Sequence, residues 1–168
     1  MIFRKAAADD LPQLKTVYQK IVRDMRQKGI DIWNDFYPNT FFKEDIERGR
    51  LYVLTNADVI VAAFALCEDN EGENAVQWNR DTGKPLYLDR FGVNVGYAGK
   101  GNGSFMLRKA EETARSLGAD CLRLFVVDIN SPAIGLYEKS GYLKAEGVYD
   151  EVINDRLVFH EYGYEKKL

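Results

Sequence analysis

Residues 93–104 read Val-Asn-Val-Gly-Tyr-Ala-Gly-Lys-Gly-Asn-Gly-Ser, a glycine-rich passage between a strand-like apolar run and a long amphipathic stretch. Glycines at such a passage let successive backbone N–H groups turn toward one point. The helix start behind them adds its partial positive charge, so the turn makes a cradle for phosphate or pyrophosphate. A chain that feeds a strand through such a turn into a helix folds as an α/β protein. Two nucleotide versions of the turn fit poorly. A P-loop needs Ser or Thr directly after its Gly-Lys pair, and Gly101 follows Lys100. A dinucleotide fingerprint needs Gly where Ser104 stands.

The remaining pattern supports a mixed α/β chain. Leu11, Leu14, Val17, Tyr18, Ile21, Val22 and Met25 recur at three- and four-residue steps, which predicts a helix over 10–28 with Asp9 as N-cap and Gly29 as stop. A short helix is expected over 41–48, ended by Gly49. Residues 51–55 and 59–67 are β-rich runs split by Asn56-Ala57-Asp58, a hairpin. Residues 68–85 are polar and read as a long loop, and 86–95 as a strand. A second helix over 102–117 places Phe105, Met106, Ala110, Ala114 and Leu117 on one face, with Gly118 as stop. Residues 121–127 form a buried strand, and Asn130 or Ser131 caps a helix with Pro132 in its first turn. Runs 142–149 and 156–164 close the chain as a hairpin.

At 168 residues the chain fits one domain, 1–168. A net charge of −3 offers no basic face, which argues against a nucleic-acid partner. The longest apolar run, 59–67, is strand-sized, so no membrane span is expected, and the N-terminus lacks the apolar stretch of a secretory signal. Cys67 and Cys121 lie in apolar runs and read as buried free thiols, which suits the cytoplasm. With one histidine and two scattered cysteines, no metal site is expected.

A second passage begins at Asn130. Asn130, Ala133, Tyr137, Lys139, Gly141 and Tyr142 match Asn-x-x-Ala-x-x-x-Tyr-x-Lys-x-Gly-Phe/Tyr at every spacing. Gly101 and Gly103 match the end of Gln/Arg-x-x-Gly-x-Gly/Ala. With these two passages the chain resembles the GCN5-related N-acetyltransferase (GNAT) superfamily. That resemblance implies a mixed, mostly antiparallel sheet with helices on both faces, whose splayed central strand pair forms an acyl-CoA cleft. It implies acetyl-CoA as co-substrate, with no metal. The pantetheine arm would lie along Phe91, Gly92, Val93 and Val95. The pyrophosphate would rest on the amides of Ala98, Gly99, Lys100, Gly101, Asn102, Gly103 and Ser104. Asn130 and Ala133 would reach the arm, and the Tyr137 hydroxyl the thioester sulfur. Ala98 stands where the family carries Arg or Gln, which removes one side-chain contact to phosphate; Lys100 is the replacement charge at hand.

The implied reaction is direct attack of a primary amine, on a small molecule or a protein, at the thioester carbonyl. An alkyl amine with a pKa of about 10.4 needs a base, and a thiolate with a pKa of about 8.5 gains from an acid near sulfur. Tyr137 is the candidate acid; read otherwise, it is a core aromatic. Asp89 is the candidate base and shares a strand face with Tyr87, which would border the acceptor; read otherwise, Asp89 is half of an ion pair. His160 reads as a half-buried strand histidine rather than a base. In the link between the first two helices, Trp33, Phe36 and Tyr37 form an aromatic wall for a cationic amine or a pin for the helices, and Asp31 or Asp35 would attract its charge. A non-catalytic acyl-CoA-binding or sensing module is the alternative reading, a nucleotide-binding α/β domain a third, and a homodimer is left open.

Overall fold

The computed structural model describes residues 1–34, 36–79 and 83–168, and the chain divides into two compact units. The first comprises Met1–Leu66 and Arg90–Arg108, the second Cys67–Asp89 and Lys109–Leu168.

In the first unit, β1 (Ile2–Lys5) pairs antiparallel with β2 (Leu51–Asn56), and β2 with β3 (Val59–Cys67). Residues 60–67 of β3 are buried one after another, as expected of a strand covered on both faces. Helix α1 (Leu11–Gln27) buries Leu14, Val17, Tyr18, Ile21 and Val22, the apolar face its spacing predicts. Its entry differs from expectation. Ala8–Asp10 form a 3-10 turn, and Asp10, rather than Asp9, occupies the N-cap position. The Asp10 carboxylate instead accepts from the Ala7 N–H at 2.7 Å and holds Arg4 at 2.6 Å. Helix α2 (Phe42–Glu47) follows the interhelix link.

Strand β4 (Pro85–Val93) and helix α3 (Asn102–Ser116) each contribute residues to both units. The buried residues of α3 are Asn102, Met106, Leu107, Ala110, Glu111 and Ala114, whereas Leu117 beyond its end is exposed. The expected apolar face holds at Met106, Ala110 and Ala114, Phe105 is half-buried, and Leu107 is buried beside them.

In the second unit, the first residues of β4 run parallel to β5 (Cys121–Val127). β5 pairs antiparallel with β8 (Leu157–Lys167) along its whole length, from Cys121 opposite Lys167 to Val127 opposite Glu161. β8 also carries β6 (Leu143–Lys144) and β7 (Tyr149–Asn154). The expected closing hairpin is thus β7–β8, and residues 142–149 supply only the two-residue β6 and Tyr149, the first residue of β7, to the ladder. Helix α4 (Ser131–Lys139) lies between β5 and β6 in sequence. The result is the expected mixed α/β class, with eight strands and four α-helices among the described residues and mostly antiparallel ladders. The parallel β4–β5 ladder covers only Pro85, Leu86 and Tyr87, opposite Cys121, Leu122 and Arg123. Cys67 and Cys121 are both buried. Among the described residues no helix is long and apolar enough to cross a membrane.

Candidate active site

The glycine passage belongs to the first unit. Asn94, just past β4, closes the strand end: its N–H donates to the Val61 carbonyl at 2.8 Å and its Nδ2 to the Ile60 carbonyl at 2.8 Å. Its Oδ1 accepts from the Gly96 N–H at 3.2 Å. Gly99 and Gly101 take φ of 71° and 80°, the left-handed conformation that permits successive amides to converge, and nothing lies within 4 Å of where a Cβ would sit on either. Ala98, Gly99, Lys100 and Gly101 are exposed, and Gly103 and Ser104 half-buried. Asn102 is buried and its Nδ2 donates to the Tyr97 carbonyl at 2.9 Å, which ties the helix start to the loop.

A cavity of about 440 Å³ opens at this helix start, lined by Met1, Lys100, Gly101, Asn102, Phe105 and Arg108. Two cations and a helix N-terminus suit an anion, so the residues present fit the phosphates of an acyl-CoA. Lys100 Nζ bonds the Gly96 carbonyl at 2.9 Å. Arg108, in the second turn of α3, adds a charge that the sequence pattern did not single out; its i, i+4 spacing from Ser104 is the one signal by which it could have been found. Of the arm residues, Phe91 and Val93 are half-buried, Val95 is exposed, and Gly92 is buried with its Cα close against the Tyr18 ring.

The link to α2 is aromatic throughout, and it too lies in the first unit. Trp33 stacks on Tyr18 with centroids 5.6 Å apart, Tyr37 meets Trp33 at 6.2 Å, and Phe41 meets Tyr37 at 5.6 Å. Trp33 and Tyr37 are half-buried, Phe36 is 75 % exposed, and Asp31 pairs with Arg26 at 3.2 Å. Asp35 lies outside the described residues.

In the second unit, Asn130 caps α4: its Oδ1 accepts from the Ala133 N–H at 3.4 Å. Tyr137 is 6 % exposed and packs on Tyr142 and Tyr164 at 5.9 and 6.4 Å. Burial, with the Asp89 charge adding to it, pushes its hydroxyl well above the ordinary tyrosine range, so it stays protonated at neutral pH. Tyr87 is 1 % exposed, its ring against Trp78 and its hydroxyl 3.5 Å from Arg123. That places Tyr87 within the packed interior of this unit.

The register collects three carboxylates. Tyr87 and Asp89 lie on one face of β4, and Arg123 opposite Tyr87 puts Phe125 and Val127 on the same face of β5. Val127 faces Glu161 on β8, and Tyr149 on β7 also faces Glu161, so Glu151 shares that side. Contacts of Phe125 with Trp78 at 5.5 Å and with Tyr149 at 5.7 Å confirm a common face. Burial, then the charges of Glu151 and Asp89, push the Glu161 carboxyl up to about 8, and the Glu151 carboxyl is raised by burial with Glu71 and Asp89 adding to it. Sequence reasoning reached Asp89 but missed Glu151 and Glu161, because their spacing within β7 and β8 says nothing until those strands are paired. His160 is exposed rather than half-buried; its Nδ1 lies 2.6 Å from Asp150, whose hydrogen bond and charge raise the imidazole pKa. No group of three or more His, Cys, Asp or Glu that could hold a metal ion occurs among the described residues.

Known proteins agree with this architecture. The structure is similar to that of a GNAT family acetyltransferase from Streptococcus agalactiae 2603, with a TM-score of 0.85 at 18 % identity over 99 % of this chain and 95 % of that one. In sequence, the chain is 33 % identical to streptothricin acetyltransferase of Streptomyces lavendulae over 93 residues, 55 % of this chain and 44 % of that protein. It is 38 % identical to thialysine N-epsilon-acetyltransferase of Sus scrofa over 60 residues, 36 % of this chain and 35 % of that protein. The chain thus spans less than half the length of these two relatives. Residues 15–142, most of the chain and both motif passages, match the family described as Acetyltransferase (GNAT) family. This chain belongs to the Acetyltransferase (GNAT) family.

Proposed function

We propose that the protein transfers an acetyl group from acetyl-CoA to a primary amine of a small molecule or protein. The observation that carries this beyond binding is Glu161, a carboxylate raised to about 8 and close in charge to Asp89 and Glu151. A base matched to working pH is what deprotonation of an amine needs, and a pure binding module has no use for it. The family motif assigns the pyrophosphate to residues 98–104, the arm to Phe91, Gly92, Val93, Val95, Asn130 and Ala133, and the sulfur to Tyr137. The glycine conformations and the cationic cavity at the start of α3 support that assignment.

The acceptor arrives as an ammonium ion. Glu161, or Asp89 beside it, takes one proton, and the freed lone pair attacks the thioester carbonyl carbon. The tetrahedral intermediate collapses with cleavage of the C–S bond, and sulfur leaves with the bonding pair. The nitrogen's second excess proton ends on sulfur, and the first passes to solvent. Tyr137, held above its ordinary pKa, would lose a proton to a thiolate only uphill. Its part is to donate a hydrogen bond to the charge growing on sulfur. Trp33 and Tyr37 would wall the acceptor, and the carboxylates favour a cationic one; the two relatives named above, which by their names acetylate streptothricin and thialysine, are in keeping with an amine acceptor. Use of acetyl-CoA and two buried cysteine thiols suit the cytoplasm.

Free thiol is followed with acetyl-CoA alone and with polyamines, amino acids, aminoglycosides and peptides bearing free N-termini. Thiol should appear only with an amine present, mole for mole with acetylated product. Acetyl-CoA binding without release for any amine would instead establish the sensing module.

A further inference from the structure

Arg90 interrupts β4 in an unusual way. Its φ is 54°, the left-handed region that residues other than glycine enter only when their surroundings insist on it. The surroundings do insist, from two sides within the first unit. The Tyr18 hydroxyl, on α1, donates to the Arg90 carbonyl. The Arg90 guanidinium reaches the fully buried Asp45 of α2, with Nε 2.6 Å from one carboxylate oxygen and a terminal nitrogen 3.1 Å from the other. Arg50 holds the same carboxylate at 2.6 Å, and the Phe41 ring lies 5.1 Å from the Arg90 guanidinium.

The next residues are shaped around the same tyrosine. A Cβ on Gly92 would stand 2.9 Å from the Tyr18 ring, so only glycine lets the backbone pass that close. A left-handed residue in a strand bends it and turns the following amides and carbonyls out of the ladder direction. Here the parallel β4–β5 register has already ended at Tyr87, and the residues after Arg90 are Phe91, Gly92 and Val93, the stretch to which the proposed function assigns the pantetheine arm.

We propose that Tyr18, Asp45 and Arg90 are positioning residues: they lock β4 into its bend at Arg90 and so present the backbone of Phe91, Gly92 and Val93 to the arm of acyl-CoA. The inference rests on the proposed acyl-CoA function. None of the three need touch a reacting atom. The guanidinium and the hydroxyl act on one residue from opposite ends, its side chain and its carbonyl, so together they fix its torsion angles where either alone leaves a degree of freedom. The Tyr18 ring also stacks on Trp33, which makes the lock continuous with the aromatic link.

Tyr18→Phe keeps the ring and removes the hydroxyl; Arg90→Gly keeps the left-handed conformation accessible and removes the guanidinium. Acetyl-CoA affinity is measured by calorimetry on each folded variant, alongside Tm and steady-state kinetics with an acceptor that the wild type acetylates. The dissociation constant should rise about 3–10-fold in Tyr18→Phe, the worth of one hydrogen bond, and at least as much in Arg90→Gly. The KM for acetyl-CoA should rise with it and kcat at saturation stay within about twofold, the pattern of lost binding rather than lost chemistry. Arg90→Lys, which keeps a charge on Asp45, should recover part of the affinity lost in Arg90→Gly. A lowered Tm with acetyl-CoA affinity unchanged in either variant would make the network merely structural and overturn the proposal. A wild-type protein that does not bind acetyl-CoA overturns the proposed function, and this role with it, so the two failures are told apart by the wild type alone.

Discussion

Burial and the charges of Glu151 and Asp89 hold the Glu161 carboxyl at about 8, so it changes from proton carrier to proton acceptor as pH passes that value. The unfolded chain would hold this group near 4.5. Between the two values the folded state binds the extra proton, so stability falls as pH rises through the window from 4.5 to about 8. Glu161→Gln should therefore melt higher than wild type at pH 9 and about level with it at pH 4, with circular dichroism as the readout. Its kcat/KM should lose about 10²–10⁴-fold and the limb that rises near pH 8 should flatten. A wild-type rate already flat from pH 6 to 9 would remove Glu161 from the mechanism. Tyr137→Phe should separate from it. With the ring still packed on Tyr142 and Tyr164, kcat should fall about 10–100-fold, the worth of a hydrogen bond to a charged group, while acetyl-CoA affinity and the pH limb persist. A kcat within twofold of wild type would leave Tyr137 as packing alone.

In the proposed function, the loop that leads into α3 holds phosphate through backbone amides more than through side chains. Gly101 lies at φ 80° with open space where a Cβ would sit, so a substitution meets no neighbour but still pays for the conformation, about 1–2 kcal/mol for a left-handed residue. Gly101→Val should lower Tm by a few degrees and weaken acetyl-CoA at least tenfold, because a branched side chain would stand where phosphate approaches the amides. Calorimetry on the folded variant decides it, and unchanged affinity would place the pyrophosphate elsewhere. Helix α4 follows another logic. The family resemblance assigns Asn130 to the arm of acyl-CoA, and its Oδ1 also caps the helix by accepting from the Ala133 N–H. The motif's Asn-x-x-Ala spacing is the spacing of an N-cap to the third helical residue, so part of what looks like a binding motif is helix punctuation.

For the molecule as a whole, ligand binding is the most direct measure of the reading. Acetyl-CoA at 100 times its dissociation constant should add about 2.7 kcal/mol and raise Tm by about 5–10 °C, whereas ATP or NAD at equal concentration should not. Equal shifts with all three would favour a nucleotide site. Elements whose signal is periodic or covalently local were legible in the chain itself: α1 by its apolar stripe, β3 by its unbroken apolar run, β5 by an apolar run broken only at Arg123, the turn into α3 by its glycines, α4 by its spacing. Those features follow from hydrogen bonds and burial within a few residues. What lay beyond reach was everything that depends on which strands pair. Glu151 and Glu161 acquire a shared face with Asp89 only through the β5–β8–β7 register, and 142–149 reads as one strand, with 150–154 left out, because local pattern does not say where a ladder begins. The same holds for Arg90. No local propensity places an arginine at φ 54°, and only the arrival of Tyr18 and Asp45, 72 and 45 residues away in sequence, makes that conformation the stable one. Chain-local energies select the elements; a carboxylate's pKa and a strand's bend are set by neighbours that meet only when those elements pack.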